Sequence, residues 1–219
     1  MAAAPITIDL MQEKYNTPVG RLLVHGFRGK FQHRTPLSDD ELALFFEKLL
    51  YHYPSEPSSR RIVALLEGEI IGTMSIKWNS NPAIKPIKKK LISLRKYDFL
   101  GKWNVCKLFF GLSLLDHKPQ VGECYIADVV VHPDHRSKGV GRLLLEWSQQ
   151  FAQADPKFNR LSLHVAGANP RARQLYEQFS FQTCTQKNSI MRHLMFNELK
   201  WIYMVQTLSQ KSFREGELR

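Results

Sequence analysis

A strand, a loop and a helix follow one another in the stretch VVVHPDHRSKGVGRLLLEW, residues 129–147. The β-branched run Val129–Val131 predicts a strand that His132 and Pro133 end, and the apolar spacing from Leu143 onward predicts a helix. Gly139 and Gly141 lie where that helix must begin, and the first backbone N–H groups of a helix have no partner within it. A chain that contains this unit is expected to build a sheet covered by helices.

Strands and helices alternate through the rest of the second half, which predicts a mixed α/β fold with part of the sheet parallel. The predicted strands are residues 6–10, 62–66, 70–78, 123–131, 161–165, 181–186 and 200–208, and the predicted helices include 19–31, 38–53 and the segment that Asn169 and Pro170 open. Residues 62–78 form a hairpin, and Ser38 with Glu41 forms a capping box. Residues 187–200 show no clear pattern.

The chain has 219 residues and a formal net charge of +11, and we expect a single domain, 1–219. An inserted element at about 79–120 separates the hairpin from the following strand, and it predicts one or two basic amphipathic helices. A polar tail, 209–219, closes the chain. The segment from Lys85 to Lys107 contains eight basic residues and a single acidic residue, Asp98.

Composition excludes several classes of protein. Hydrophobic residues make up 43% of the chain, but the apolar runs are far shorter than the ~20 residues that cross a bilayer. The first residues have no secretory signal pattern, so we expect a cytoplasmic protein. Cys106, Cys124 and Cys184 are odd in number and widely spaced, which predicts free thiols. His132 and His135 lack a third ligand at suitable spacing, so we expect no metal.

Three kinds of phosphate-binding loop can be compared with residues 136–141. A Walker loop needs Gly-Lys followed by Ser or Thr, and a dinucleotide fingerprint needs a third glycine three residues after Gly141, where Leu144 stands. What remains is R-x-x-G-x-G, whose glycines would let a pyrophosphate approach the backbone at a helix N-terminus. The alternative is a glycine-rich turn with a solvated basic rim.

Two segments together resemble the GNAT superfamily of N-acetyltransferases. The resemblance consists of V-x-V followed by R-x-x-G-x-G and, about 30 residues later, N-x-x-A-x-x-L-Y-x-x-x-x-F. It covers residues 123–182 best and the hairpin more loosely. It implies a curved mixed β-sheet flanked by helices, and transfer of an acetyl group from acetyl-CoA to an amine of a small-molecule or peptide acceptor by direct attack.

The resemblance also implies a role for individual residues. Val129, Val130 and Val131 would lie along the pantetheine arm, Asn169 would contact that arm, and Tyr176 would protonate the departing thiolate. The pyrophosphate would be bound by the loop residues Arg136, Ser137, Lys138, Gly139, Val140, Gly141 and Arg142. Two positions depart from the family pattern, because Ser137 and Ser180 stand where glycine is usual.

The general base is less well determined by the sequence. Glu123 has the same period-two parity as Val129 and Val131, so it shares their side of the sheet if no bulge intervenes, and it would act directly or through water. Asp128 is nearer but has the opposite parity. Tyr176 as a core tyrosine, and Glu123 as a solvated carboxylate, are the structural alternatives.

A rival interpretation is a non-catalytic module that binds nucleic acid or another anionic partner through its basic face. Tyr97, Phe99 and Trp103 interleave with the basic residues as single-strand binding requires, although the same pattern suits an amphipathic helix packed on the core. In an enzyme, the basic element between Lys85 and Lys107 would border the acceptor site and disfavour polycationic acceptors; the alternative is a solvated helix face with no influence on the substrate. The sequence leaves the oligomeric state open, a homodimer included.

Overall fold

The computed structural model describes residues 4–31, 35–54, 57–79 and 94–208. These residues form seven strands and six α-helices. The strands are β1 (Thr7–Leu10), β2 (Ser59–Leu66), β3 (Glu69–Trp78), β4 (Glu123–Val131), β5 (Arg160–Ala166), β6 (Gln182–Asn188) and β7 (Lys200–Thr207). The helices are α1 (Asn16–Phe31), α2 (Asp39–His52), α3 (Lys102–Leu115), α4 (Val140–Ala154), α5 (Pro170–Gln178) and α6 (Ile190–Phe196).

All seven strands belong to one sheet in the order β1-β2-β3-β4-β5-β7-β6. Neighbouring strands are antiparallel except for β4 and β5, which pair in parallel. Helix α4 connects these two parallel strands, as a parallel pair requires. The predicted mixed α/β class with a partly parallel sheet is therefore confirmed.

Helices cover both faces of the sheet and bury a separate apolar cluster on each. Helices α1, α2, α3 and α6 pack on one face, and α4 and α5 pack on the other. Gly26 lets α1 approach β4 closely, because a Cβ at this position would lie 2.5 Å from Cγ2 of Val130. The glycine that weakens the helical pattern of α1 is thus required by its packing.

Local signals in the sequence match the observed ends of the elements. Ser38 and Glu41 form the capping box of α2, and Asn169 caps α5 with Pro170 in its first turn. The β2–β3 hairpin turns at Glu67 and Gly68, whose φ angles of 52° and 86° suit a two-residue hairpin turn. These three predictions are confirmed.

The inserted element is described only in part. It contains a 3-10 helix, Leu94–Leu100, followed by α3. Tyr97 is buried against Phe45 and Phe109, whereas Trp103 is 83% exposed. Packing of Tyr97 on the core favours the amphipathic-helix interpretation for this residue. The lysines at 85 and 88–90 and the tail 209–219 lie outside the described residues, so the expectations for them stay predictions.

No helix in the described ranges combines the length and the apolar character that crossing a bilayer requires.

Ser180 follows α5 with a φ of 61°, in the left-handed region that favours glycine. We expect Ser180→Gly to raise the free energy of unfolding by about 0.5–1 kcal/mol, because removing Cβ relieves more strain than the added freedom of the unfolded chain costs. Denaturant unfolding measures this change. Ser180→Ala removes the same hydroxyl but keeps Cβ, so it should give no such gain, and equal effects of the two variants would contradict the explanation.

Candidate active site

A cleft opens where β4 and β5 part. The two strands pair only from Glu123 with Arg160 to Ile126 with Leu163, although both continue beyond these pairs. Past that point residues 127–131 of β4 and 164–166 of β5 line a cleft of about 670 Å³. The edge of β4 that would otherwise pair with β5 is therefore open to a ligand with amide groups.

The glycine-rich loop closes one end of this cleft. It turns through left-handed backbone at Ser137 and Gly139, with φ angles of 64° and 83°, and α4 begins at Val140. The amides of Val140, Gly141 and Arg142 start the helix, where a 15-residue array of peptide dipoles presents positive potential. The electrostatic potential at this end of the cleft therefore favours negative charge.

Most of the predicted loop residues line the cleft, namely Arg136, Ser137, Gly139, Gly141 and Arg142. Two do not. Lys138 is exposed outside the lining, and the side chain of Val140 is buried beneath α4, where a Cβ on Gly72 would lie 2.8 Å from its Cγ1. Val140 therefore presents only its backbone to the loop, while its side chain anchors the helix on β3.

The serine at position 137 has a partner that glycine could not provide. Arg171 in the first turn of α5 donates a hydrogen bond to its hydroxyl. Asn169 caps the same helix by accepting the amide of Ala172 at 3.1 Å, and it also lines the cleft. The two motif segments of the sequence thus meet at this end of the cleft.

Tyr176 of α5 lies on the wall of the cleft with its ring against Phe181. Burial raises the pKa of the Tyr176 phenol to about 12. The hydroxyl therefore keeps its proton at neutral pH and is able to donate a hydrogen bond into the cleft.

The predicted side for Glu123 is wrong because β4 contains a bulge. Asp128 pairs with Ser75 and Ile126 pairs with Ile76, which leaves Ala127 as an extra residue. The bulge reverses the alternation, so Val129 and Val131 share the α4 face with Cys124 and Ile126, and Glu123 faces the opposite side. Glu123 lies on the α1 face and outside the residues that line the cleft.

Glu123 is buried and fully occupied by hydrogen bonds. Its carboxylate accepts the amide of Gln120 at 2.7 Å, the Ser162 hydroxyl at 2.5 Å and the Tyr203 hydroxyl at 2.8 Å, and His117 Nε2 lies 2.9 Å away. Burial on its own would raise the pKa of Glu123, but these hydrogen bonds outweigh it and lower the pKa to about 2. Such a carboxylate accepts hydrogen bonds readily but is a weak base.

This pKa shift predicts a pH-dependent contribution to stability. The unfolded carboxyl titrates near 4.5 and the folded one near 2, so the unfolded chain binds more protons between these values. The stabilisation is therefore complete above about pH 4.5 and is lost as pH falls toward 2. Glu123→Gln should have a lower free energy of unfolding than the parent at neutral pH, and the difference should shrink in this window.

Urea unfolding at several pH values tests this expectation. Glu69→Gln, which changes an exposed carboxylate at the start of β3, is the matched control and should track the parent. A constant difference between parent and Glu123→Gln from pH 7 to pH 3 would contradict it.

Asp128 faces a different set of partners. Its carboxylate forms two hydrogen bonds of 2.8 Å with Arg61 and accepts a further one from Ser75. Burial opposes ionisation, but the charge and hydrogen bonds of Arg61 outweigh it and lower the pKa of Asp128. Asp128 thus forms a structural ion pair with Arg61 at the bulge and is not a free carboxylate.

The cleft also contains residues that the sequence did not indicate. His25 and Lys30 enter from α1, His164 from β5 and Trp201 from β7. Desolvation lowers the pKa of Lys30, an effect that Asp128 partly offsets. These residues are brought to β4 by long-range packing, so no local spacing links them to the motif.

In the part of the chain that the structure describes, the side chains form neither a metal-binding cluster nor an activated thiol. There, no three His, Cys, Asp or Glu side chains gather as a metal would need. Cys106 and Cys184 are exposed free thiols. Burial raises the pKa of Cys124 to about 12, which keeps it protonated and unsuited to nucleophilic attack.

Comparison with known proteins assigns a family. The profile of the Acetyltransferase (GNAT) family matches residues 26–181, and this chain belongs to that family, whose members use acetyl-CoA as co-substrate. The protein is accordingly an acyltransferase. No match is found among curated proteins.

Solved structures share the fold at low sequence identity. A GNAT-family acetyltransferase from Streptococcus pneumoniae is 16% identical, with 94% of this chain and 100% of that chain covered and a TM-score of 0.56. A spermidine N-acetyltransferase variant from Vibrio cholerae is 16% identical, with 96% and 98% covered and a TM-score of 0.58. A candidate phosphinothricin N-acetyltransferase is 14% identical, with 94% and 100% covered and a TM-score of 0.60.

Proposed function

We propose that the chain transfers the acetyl group of acetyl-CoA to the amine of a small-molecule or peptide acceptor by direct attack. The observation that carries this proposal is the parting of β4 and β5 beside the anion-binding loop. A cleft with an open strand edge along one wall and helix amides at one end suits a molecule that has an amide-containing arm and a pyrophosphate.

In this proposal each part of the cleft contacts one part of the co-substrate. The strand Val129–Val131 offers backbone groups to the pantetheine arm, residues 136–142 bind the pyrophosphate, and Asn169 contacts the arm from α5. The thioester then lies at the far end of the strand, near the bulge at Ala127. Tyr176 donates a hydrogen bond to the sulfur as the thiolate leaves.

We further propose that the acceptor enters from a second cavity. This cavity, of about 780 Å³, is lined by α2, β2, β3 and the chain before α1, and it shares Ala127 with the co-substrate cleft. An amine in the second cavity would therefore meet a thioester in the first at the bulge. Direct attack needs such a meeting point, because the two reacting atoms must come within about 3–3.5 Å of each other.

The acceptor is proposed to be neutral or anionic around its amine. Among the charged side chains that line the second cavity, Arg61 pairs with Asp128 and Lys77 pairs with Asp116, which leaves Arg60 against Glu13. The lining itself is therefore balanced in charge, and the positively charged insert would supply the positive potential if it borders this site, as its sequence predicts. Structural neighbours include a spermidine N-acetyltransferase variant and a candidate phosphinothricin N-acetyltransferase. Spermidine is a polycation and phosphinothricin carries acidic groups, so the charge of the insert favours the second kind.

An acceptor screen with purified protein tests both proposals. Thiol release from acetyl-CoA is followed with spermidine, with phosphinothricin and with neutral small amines as acceptors. We expect release with acidic or neutral amines, and we expect replacement of lysines 88–90 by Glu to raise kcat/KM for spermidine and lower it for the acidic amine at low salt. Equal responses of the two acceptors to the charge reversal would contradict the selection by charge.

A further inference from the structure

A partly buried cluster of rings and one carboxylate lies next to the cleft and has no role in the mechanism described so far. It contains Glu123 and Tyr125 of β4, His164 of β5, Tyr203 of β7 and His117, which follows α3. The ring of His117 packs on that of Tyr125 with centroids 4.3 Å apart. His117 thus comes from the inserted element and is held against the central strand.

Glu123 orients this histidine. The Nε2 atom of His117 lies 2.9 Å from Glu123 Oε1, and an ionised carboxylate only accepts hydrogen bonds. Nε2 must therefore donate, and in the neutral ring Nδ1 then carries the lone pair. Glu123 itself has no exposed side-chain surface, whereas 24% of the His117 side chain is exposed. The histidine is thus the member of the pair that keeps exposed side-chain surface.

The position of His117 places it near the end of the cleft where the thioester is proposed to lie. Its ring centroid is 5.2 Å from that of His164, and His164 lines the cleft. Tyr125, on which it packs, is two residues from the bulge at Ala127. On the other side Lys77, which lines the second cavity, lies 5.4 Å from the Tyr125 ring. His117 lines neither cavity itself, but it lies one ring behind His164, which does line the cleft.

We propose that His117 is the general base of acetyl transfer and that Glu123 is its positioning residue; this inference rests on the proposed function. The neutral amine attacks the thioester carbonyl carbon, the C–N bond forms and the C–S bond breaks with its electron pair passing to sulfur. The proton on the attacking nitrogen moves to Nδ1 of His117 and then to solvent. Tyr176 donates a hydrogen bond to the leaving thiolate, which then takes a proton from solvent.

The other titratable groups around His117 are less suited to act as the general base. Burial, together with the nearby His117 and Arg192, lowers the pKa of His164 to about 4, so His164 is a poor proton acceptor, and its Nδ1 lies 3.0 Å from the Tyr125 hydroxyl. Tyr203 donates to Glu123. At the rim Lys77 pairs with Asp116, and Arg192 of α6 donates to the carbonyl of Leu114.

Hydroxylamine serves as the probe, because it is small enough to need no specific acceptor contacts. The enzyme–acetyl-CoA complex is mixed with it and thiol release is followed above the uncatalysed rate. We expect His117→Gln to lower this rate by about 10²-fold with acetyl-CoA affinity unchanged. Imidazole in solution should partly restore the rate of thiol release in His117→Ala. His193→Gln, a change of an exposed histidine on α6, is the control and should match the parent.

Nitrogen NMR of His117 gives a second test that needs no activity. We expect the Nε2–H tautomer in the parent with acetyl-CoA bound, and a shift toward Nδ1–H in Glu123→Gln, whose amide is able to donate to Nε2. In that variant the hydroxylamine rate should fall, although less than in His117→Gln.

The outcomes separate the two proposals. A parent that binds acetyl-CoA but does not accelerate its reaction with hydroxylamine would count against direct acetyl transfer. An active parent whose rate is unaltered by His117→Gln would overturn only the role of His117. The Nδ1–H tautomer in the parent would overturn that role as well, whatever the activity.

Discussion

Gly141→Asp is expected to lower acetyl-CoA affinity by at least about 10²-fold while the chain remains folded. Gly141 lies in the first turn of α4 and lines the cleft, so its replacement would place a carboxylate beside the proposed pyrophosphate. Two unit charges about 4 Å apart near a protein surface interact by about 4 kcal/mol, which exceeds the roughly 3 kcal/mol that a 10²-fold loss requires.

The fold should tolerate this substitution. An added Cβ would meet Cδ2 of Leu175 at 3.3 Å, which a small shift of a flexible side chain relieves. An acidic residue in the first turn of a helix is also favourable to the helix dipole. The loss of affinity should therefore come from the ligand site and not from unfolding.

Calorimetric titration with acetyl-CoA measures the effect, and circular dichroism checks the fold. Gly29→Asp is the matched control: it introduces the same carboxylate in α1 at an exposed position where a Cβ meets nothing within 4 Å. It should bind acetyl-CoA as the parent does. Unchanged affinity in folded Gly141→Asp would mean that the loop is only a turn.

Local pattern was sufficient to predict most elements of the fold. Capping residues, hairpin turn and apolar spacing are properties of neighbouring residues, so the ends of α2, α5 and the β2–β3 hairpin follow from the sequence. Helix α6 was not predicted, because its seven residues cover barely two turns and give little periodicity. The position of Lys138 outside the cleft also depends on how the loop turns, which composition does not determine.

The bulge at Ala127 is the reason why Glu123 lies on a different face of the sheet from the one predicted. One unpaired residue in β4 moves Glu123 to the opposite face from Val129 and Val131. A bulge of this kind arises from pairing with β3 and leaves no signature in the β4 sequence itself. An argument from parity along a single strand cannot detect it.

The two serines that depart from the family pattern lie at positions whose backbone conformation favours glycine. Both Ser137 and Ser180 adopt positive φ, at 64° and 61°. Glycine is therefore usual at these positions because the backbone has a positive φ there. This chain adopts the same backbone conformation although serine suits it less well than glycine. At Ser137 the hydroxyl gains Arg171 as a partner, whereas nothing in the structure explains the serine at 180.

Tyr176→Phe is expected to lower kcat by about 10²-fold or more and to leave acetyl-CoA affinity nearly unchanged. The substitution removes only the hydroxyl and keeps the ring that packs on Phe181. Burial raises the pKa of this phenol to about 12, well above the ~8.5 of a free thiol, so we expect Tyr176 to act chiefly by hydrogen bonding as negative charge develops on sulfur. That interaction is stronger in the transition state than in the bound thioester, and its loss should therefore appear in kcat.

Steady-state rates with hydroxylamine as acceptor, together with calorimetric binding of acetyl-CoA, separate the two quantities. Tyr15→Phe is the control, because it removes a phenol that donates to Asp9 at 2.9 Å at the edge of the sheet, away from the cleft. It should keep the parental kcat. If Tyr176→Phe also keeps it, the phenol is not the donor to sulfur and Tyr176 serves only as a wall of the cleft. If instead kcat and acetyl-CoA affinity fall together, the hydroxyl stabilises the bound thioester as much as the transition state and is not specific for the leaving thiolate.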